Sequence, residues 1–199
     1  QQAIQIAVSD LYTATRYVID HSESWQIDPQ SIILSGSSAG AISVLQAEYQ
    51  LCQSDAGISV LPAGFQYAGV ISFAGAIADV KAPTWPKRPC PILLFHGDVD
   101  RTVPYRQAAL PDVGGLWGSA AIAESLDKTS ASYTFYRIGN AGHVISSTPM
   151  TEQLYDILSF LDRCVMHKES LVIQTSIHAA GDSLQEAHFT IEDYLKENL

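Results

Sequence analysis

The chain has 199 residues, 47% of them hydrophobic and 16% charged, and its 21 acidic and 11 basic residues give a formal charge of −10. This length and apolar content predict one compact domain with a sizeable core, and the acidic balance without a basic cluster argues against nucleic acid as a partner. No apolar run approaches the roughly 20 residues that cross a bilayer, and Gln1 begins no signal-peptide pattern. We therefore expect a soluble protein with no membrane partner. Export to the periplasm or medium after removal of a signal stays open.

The first predicted elements are a helix over residues 4–21, a strand at Ile32-Ile33-Leu34 and a second helix over residues 38–50. Between that strand and the second helix stands Gly36-Ser37-Ser38-Ala39-Gly40. Glycine two positions either side of Ser38 allows a sharp strand-to-helix turn that exposes the serine hydroxyl, as in a nucleophile elbow. Ser38 is therefore the predicted nucleophile. Ser37 stands at the wrong position of the glycine frame and is assigned a structural role.

The next elements are a strand over Tyr67–Phe73, a loop Ala74-Gly75-Ala76 at its carboxyl end, and a proline-rich connection over residues 79–91. Trp85 lies in that connection. A loop tryptophan can shape an acyl or alcohol pocket, so Trp85 is a candidate substrate-binding residue, with a packing role as the alternative.

A candidate acid follows the buried parallel strand Ile92-Leu93-Leu94-Phe95. In the loop after this strand we choose Asp100 as the acid, with Asp98 as its rival and loop geometry as the arbiter. His96 precedes the acid in chain order, which favours a packing or supporting role over that of the base. A metal site built on these three side chains is disfavoured, because no convincing further ligand stands elsewhere in the chain.

A candidate base follows the strand over Tyr133–Ile138, where a glycine-rich loop ends in His143. Before that strand, a helix is predicted over residues 115–128 after a loop over residues 111–118. This loop carries Trp117, a second candidate substrate-binding residue, for which the alternative is a plain connection. The other late histidines lie in the last helix or the tail: His167, His178 and His188.

The carboxyl-terminal part is predicted as a helix over residues 149–168 and a separate tail. Four residues of the helix should form one apolar face against the sheet: Leu154, Ile157, Leu158 and Leu161. The tail contains a β-favouring stretch over residues 171–177 and a closing helix. Its role is left open between covering a sheet edge, mediating association and terminal decoration. The domain division is 1–168 for the catalytic domain and 169–199 for the extension.

The chosen residues form a recognisable chemical set in the chain order serine, acid, histidine. A serine hydroxyl is a weak nucleophile until an imidazole takes its proton, so Ser38 needs His143. Asp100 would orient that imidazole and stabilise the imidazolium. The Ala39 N–H, next after the nucleophile, would donate to the oxyanion, with a second donor expected from elsewhere. This chemistry needs no cofactor and no metal.

Over residues 1–165 the chain resembles α/β-hydrolases of the carboxylesterase and feruloyl-esterase type. The elbow string, the acid loop with Gly97, Asp100, Val103 and Pro104, and the base loop with Gly142-His143 carry this resemblance. It implies an α/β-hydrolase fold with a mostly parallel sheet flanked by helices. The implied activity is hydrolysis of a small or carbohydrate-linked carboxylic ester, of feruloyl or acetyl-xylan type, through an acyl-enzyme.

The chain departs from this family at its start, because family members begin with further strands and a His-Gly-Gly-type loop that supplies the second oxyanion donor. We expect the elbow strand to present an open edge, which a preceding segment or a second copy of the chain covers.

Two alternative functions are kept: a peptidase of the prolyl-oligopeptidase kind, which shares the triad, and an inactive binding or assembly module. Three cysteines without metal-ligand spacing are interpreted as small buried thiols, with a disulfide between two of them as the alternative: Cys52, Cys90 and Cys164.

Overall fold

The computed structural model describes residues 2–53, 58–110, 112–182 and 190–198. The strands are β1 Ile33–Ser37, β2 Gly69–Phe73, β3 Ala76–Asp79, β4 Ile92–Gly97, β5 Gln107–Leu110, β6 Gly114–Gly118, β7 Tyr133–Ile138 and β8 Val172–Ile177. The helices are α1 Gln2–Asp20, α2 Ser22–Trp25, α3 Ala39–Gln53, α4 Ser119–Leu126, α5 Pro149–Glu152, α6 Leu154–Phe160 and α7 Ile191–Asn198. Short 3₁₀ turns span Pro29–Ser31 and His143–Ser146, and a π-helix spans Leu161–Met166.

The main sheet has five strands in the order β1-β2-β4-β7-β8, and each neighbouring pair is parallel. Its central strands β2 and β4 are buried along their whole length, as expected for apolar strands covered on both faces. The predicted class, an α/β fold with a mostly parallel sheet between helices, is confirmed. Within the described residues β1 pairs on one side alone, so it forms one edge of the sheet, and β8 forms the other.

Alternate residues of the strands face two separate cores, because successive side chains of a strand point to opposite faces. Val70, Ile92 and Leu94 face the first core, together with side chains of α1, α3 and α4. Ile71 and Leu93 face the second core, where α6 and the π-helix pack. The parallel strands therefore lie between two helical layers, and their carboxyl ends all meet at one edge.

A second sheet of three antiparallel strands, in the order β3-β6-β5, corrects two predictions. The loop predicted at residues 74–76 leads directly into β3, and residues 114–118, predicted as loop and helix start, form β6. Glycine is depleted in strands, and β6 contains three glycines, so residue propensities do not predict a strand there. Leu116 of β6 packs with Ile42 and Val103, which fixes the small sheet over the amino-terminal part of α3.

The helix predicted over residues 149–168 is broken into α5, α6 and the π-helix. Its predicted apolar face is also wrong in part, because Leu154 and Leu158 are 52% and 62% exposed. The buried positions are Phe160 and Cys164, and Ile157 packs beside them on the sheet. Phe160 and Cys164, four residues apart, contact the sheet from the same side of the chain. The predicted leucine positions did not indicate this contact.

The tail contributes directly to the main sheet, since β8 pairs in parallel with β7 from Tyr133↔Val172 to Ile138↔Ile177. This places the tail at the edge opposite β1, so β8 does not cover the edge of the elbow strand. His188 lies outside the described residues. Among the described helices, none has both the length and the apolar character needed to cross a membrane.

Candidate active site

Ser38 lies in the turn between β1 and α3 with a backbone φ of 54°. This left-handed conformation is uncommon for a residue with a side chain and marks a strained turn. The turn is held by a hydrogen bond from the Ser38 N–H to the carbonyl of Phe73, 2.9 Å away. It is also tight, because a Cβ on Gly36 would lie 2.3 Å from the carbonyl oxygen of Gly40. Only glycine fits at position 36 without a shift of the backbone.

The Ser38 hydroxyl lies 2.8 Å from Nε2 of His143. The other ring nitrogen of His143, Nδ1, lies 2.8 Å from Oδ2 of Asp100. In this arrangement Nδ1–H donates to the carboxylate and leaves Nε2 free to accept the hydroxyl proton. Residues from three separate loops, after β1, β4 and β7, thus form one hydrogen-bonded chain at the carboxyl edge of the main sheet.

Asp100 is fully buried and held by the backbone of its own loop. Its Oδ1 accepts hydrogen bonds from the N–H groups of Thr102 at 2.8 Å and Val103 at 3.1 Å. Burial acts to raise the pKa of Asp100, but its contacts with the imidazoles of His96 and His143 and with the Thr102 N–H outweigh this effect. The net effect is a lowered pKa. The acid is therefore kept as a carboxylate, the form that can orient an imidazole.

Asp98 faces a different partner set, which separates the two rival acids. Its carboxylate accepts from Nε of Arg137 at 3.0 Å and from the N–H of Asn140 at 2.7 Å. Asp98 thereby links β4 to the loop that carries His143, and Asp100 alone of the two aspartates contacts the imidazole. The approach of these loops is close, since a Cβ on Gly97 would lie 2.1 Å from the carbonyl oxygen of Ala141.

Ala39 is the first residue of α3, so its N–H lies at a helix amino terminus, where backbone N–H groups have no partner within the helix. This end of the helix is exposed at Ala39 and Gly40. The helix dipole adds a partial positive charge there. Ser37 points elsewhere, because its hydroxyl donates to the carbonyl of Ser146 at 2.6 Å and ties the elbow to the 3₁₀ turn after His143.

The two candidate tryptophans lie outside this hydrogen-bonded chain. Trp85 donates its indole N–H to Ser125 Oγ at 2.8 Å and packs edge-on against Tyr49, with ring centroids 5.3 Å apart. Tyr49 follows Ala39 by ten residues of α3, which is about 15 Å along the helix axis. Trp117 lies in β6 and donates its indole N–H to the Asp79 carbonyl at 3.2 Å. Neither tryptophan contacts the serine, histidine or acid through these bonds.

Two further groups of residues are placed by the structure. His167 and His178 are exposed and bond to main-chain oxygens near them, at Asp162 and Ala179. The three cysteines are buried with free thiols, in line with their interpretation as small core residues. Burial raises the pKa of the Cys90 and Cys164 thiols, which keeps them protonated.

Sequence reasoning did not identify the residues that support the acid loop. Arg137 lies near the carboxyl end of the strand before His143. An arginine at such a position, in a chain with an acid-rich loop after another parallel strand, is a usable signal for an ion pair between the two. Ser119 has no comparable signal, because its contact with His96 depends on the unrecognised strand β6 just before it.

No protein-family model and no curated protein matches the chain. Solved structures do match. A truncated form of a carbohydrate esterase from gut microbiota superposes with a TM-score of 0.58 at 19% identity, covering 80% of this chain and 68% of that one. Esterase 2 of Thermogutta terrifontis, phosphoramylated by tabun, superposes with a TM-score of 0.54 at 21% identity, covering 83% of this chain and 65% of that one. Its apo form gives 0.54 at 22% identity, with 83% and 66% covered. The chain thus has the fold of these esterase structures and spans about two thirds of their length.

Proposed function

We propose that this protein is a serine hydrolase of the α/β-hydrolase type that cleaves carboxylic esters through an acyl-enzyme. Ser38 is the nucleophile, His143 the base and Asp100 the residue that orients it. The observation that carries this proposal is the unbroken chain from Ser38 Oγ through the imidazole to the Asp100 carboxylate, with both links at 2.8 Å. The strained elbow supports it, because strain of this kind clusters at functional sites.

The proposed reaction begins when Ser38 Oγ attacks the ester carbonyl carbon and its proton moves to Nε2 of His143. The carbonyl oxygen becomes an oxyanion, to which the Ala39 N–H donates at the amino terminus of α3. Collapse of this intermediate breaks the bond to the alcohol, which leaves with the proton from His143. Water then attacks the carbonyl carbon of the acyl-Ser38 ester, and His143 accepts the proton of the water. Collapse of this second intermediate breaks the bond to Ser38 Oγ, which takes the proton back from His143 as the carboxylic acid is released.

For the substrate we favour a small or carbohydrate-linked ester, of feruloyl or acetyl-xylan type. Two considerations support this choice: the resemblance of the elbow and loop motifs, and the overall fold shared with a carbohydrate esterase from gut microbiota. Ala39 and Gly40, next to the nucleophile, are exposed, so solvent and substrate can reach this end of α3. The Trp85 contact with Ser125 and Tyr49 instead supports its packing role.

The test compares hydrolysis of p-nitrophenyl acetate, methyl ferulate and acetylated xylan by the wild-type protein, Ser38→Ala and the matched neighbour Ser37→Ala. Ser38→Ala should lower turnover by about 10⁶-fold, because the triad residues act as a unit. Ser37→Ala should keep most of it, since its hydroxyl contacts a backbone carbonyl instead of the imidazole. Hydrolysis that survives Ser38→Ala would refute the mechanism. Cleavage of peptide substrates but not esters would favour the peptidase alternative, and no turnover by folded protein would favour a binding module.

A further inference from the structure

His96 is a completely buried imidazole beside the acid, and the reaction steps above do not use it. Its Nε2 lies 3.1 Å from the carbonyl oxygen of Val103 and 3.4 Å from Oδ2 of Asp100. Its Nδ1 lies 2.8 Å from Oγ of Ser119. Both nitrogens of a buried ring are thus engaged, and one of them faces the carboxylate that binds His143.

The surroundings decide which ring nitrogen of His96 carries the proton. Nε2 faces a carbonyl oxygen and a carboxylate oxygen, both of which only accept hydrogen bonds, so the proton belongs on Nε2. In the neutral ring Nδ1 then accepts, and the Ser119 hydroxyl is the donor that faces it. Ser119 is itself fully buried at the start of α4. Its hydroxyl can donate or accept, so the two acceptors at Nε2 set the tautomer and Ser119 matches it by donating to Nδ1.

The contacts of His96 fix the acid loop from two directions. Val103 donates its N–H to Asp100 Oδ1 and receives the His96 Nε2–H on its carbonyl oxygen. Asp100 Oδ2 lies between two imidazoles, with His143 Nδ1 at 2.8 Å and His96 Nε2 at 3.4 Å. Rotation of the carboxylate away from His143 would break contacts on both of its oxygens.

We propose that His96 is a positioning residue for the triad, and that its Nε2 proton, with the Ser119 hydroxyl bound at Nδ1, holds Asp100 and its loop toward His143. This inference rests on the proposed function, because it assigns a supporting role in that same site. His96 does not touch the substrate in this account. Its effect on the reaction passes through Asp100 alone, so a substitution of His96 should matter only while Asp100 is present.

The test is a double-mutant cycle between positions 96 and 100, measured as p-nitrophenyl acetate hydrolysis. In the wild-type background His96→Leu should lower kcat by about 10- to 100-fold with KM nearly unchanged, because a misplacement of about 1 Å in a catalytic group costs up to about 100-fold. In the Asp100→Ala background the same change should cost less than about 3-fold, since the group it acts through is gone. His96→Gln, which retains a side-chain N–H donor, should recover most of the activity. The exposed His167→Leu is the matched control and should behave as wild type.

Equal losses from His96→Leu in the two backgrounds would overturn the proposal, because a merely structural role is additive. If His96→Leu does not fold, Ser119→Ala provides the same cycle with a smaller cavity and an expected loss of about 3- to 10-fold. A measurement independent of turnover is the histidine ¹⁵N NMR spectrum. His96 should be protonated at Nε2, and the chemical shift of its Nδ1 should change on Ser119→Ala. A proton on Nδ1 alone would overturn the proposal even in an inactive protein. Absence of Ser38-dependent hydrolysis with the Nε2 tautomer present would instead count against the proposed function.

Discussion

Ser38, His143 and Asp100 illustrate how much of a site three residue types in the right order can predict. The elbow spelling, the position of each partner after its own apolar strand, and the chain order select these three candidates. The structure places Ser38 and Asp100 within hydrogen-bonding distance of His143, and their catalytic roles are the proposal made above. The choice between Asp98 and Asp100 depended on loop geometry, because two aspartates two positions apart in one loop carry the same local signal. Tertiary contacts with Arg137 and Asn140 separate them.

The lowered pKa of Asp100 predicts a specific pH dependence of stability. An aspartate in an unfolded chain has a pKa of about 3.9, and the folded protein holds Asp100 below its ordinary value. Its ionised form therefore stabilises the fold fully above pH 4, and this contribution is lost as the pH falls through the lower folded pKa. Asp100→Asn should destabilise the protein at pH 6, and the difference from wild type should shrink between pH 4 and pH 2. Urea unfolding at both ends of this range measures it, and a difference that stays constant would show that ionisation of Asp100 contributes nothing.

Among the secondary-structure elements, those of the elbow could be predicted from the sequence, whereas the small antiparallel sheet could not. The strand, turn and helix of the elbow have strong local signals: a short apolar run, paired glycines and a following helical pattern. The second sheet has weak ones, because its strands are short and β6 contains glycine at three of its five positions. Its pairing depends on contacts distant in sequence, such as Ala76 with Gly118, which no local pattern reports.

The two glycines of the elbow should respond differently to alanine. A Cβ on Gly36 would meet the Gly40 carbonyl oxygen at 2.3 Å, so Gly36→Ala should destabilise the protein by more than about 2 kcal/mol and abolish hydrolysis. At Gly40, in the first turn of α3, an added Cβ meets nothing within 4 Å apart from its chain neighbours and the nearby backbone of its own helix. Gly40→Ala should therefore fold normally and gain up to about 1 kcal/mol from helix propensity. Thermal and urea unfolding of the pair is the measurement. Equal destabilisation by both changes would contradict the geometry of the turn.

At the scale of the whole molecule, the sheet extends beyond the region that resembles a known family. The resemblance covers residues 1–165, yet β8 adds a fifth parallel strand from the tail. Its β-favouring stretch was visible in the sequence, but its partner strand and sheet edge were not, because strand order depends on long-range packing. Gln174 Nε2 bonds to the Tyr133 hydroxyl across this pair, which adds a side-chain link to the backbone ladder.

Removal of residues 169–199 should therefore affect the stability of the whole fold. Without β8 the edge of β7 loses its hydrogen-bonding partner along six residues and becomes open to association. We expect a lower urea midpoint and concentration-dependent light scattering for the shortened protein. A control that ends at residue 182 retains β8 and should resemble the full chain. Equal stability of the 1–168 protein would show that the tail is an independent extension.

The proposed role of Ser38 is best tested by labelling the protein with a fluorophosphonate probe and mapping the modified residue by peptide mass spectrometry. Labelling requires an activated nucleophile and not simply a serine in the right motif. We expect a single adduct on Ser38 that is lost in Ser38→Ala, retained in Ser37→Ala, and formed far more slowly in Asp100→Asn. An adduct on another residue, or none on a protein shown to be folded, would contradict it.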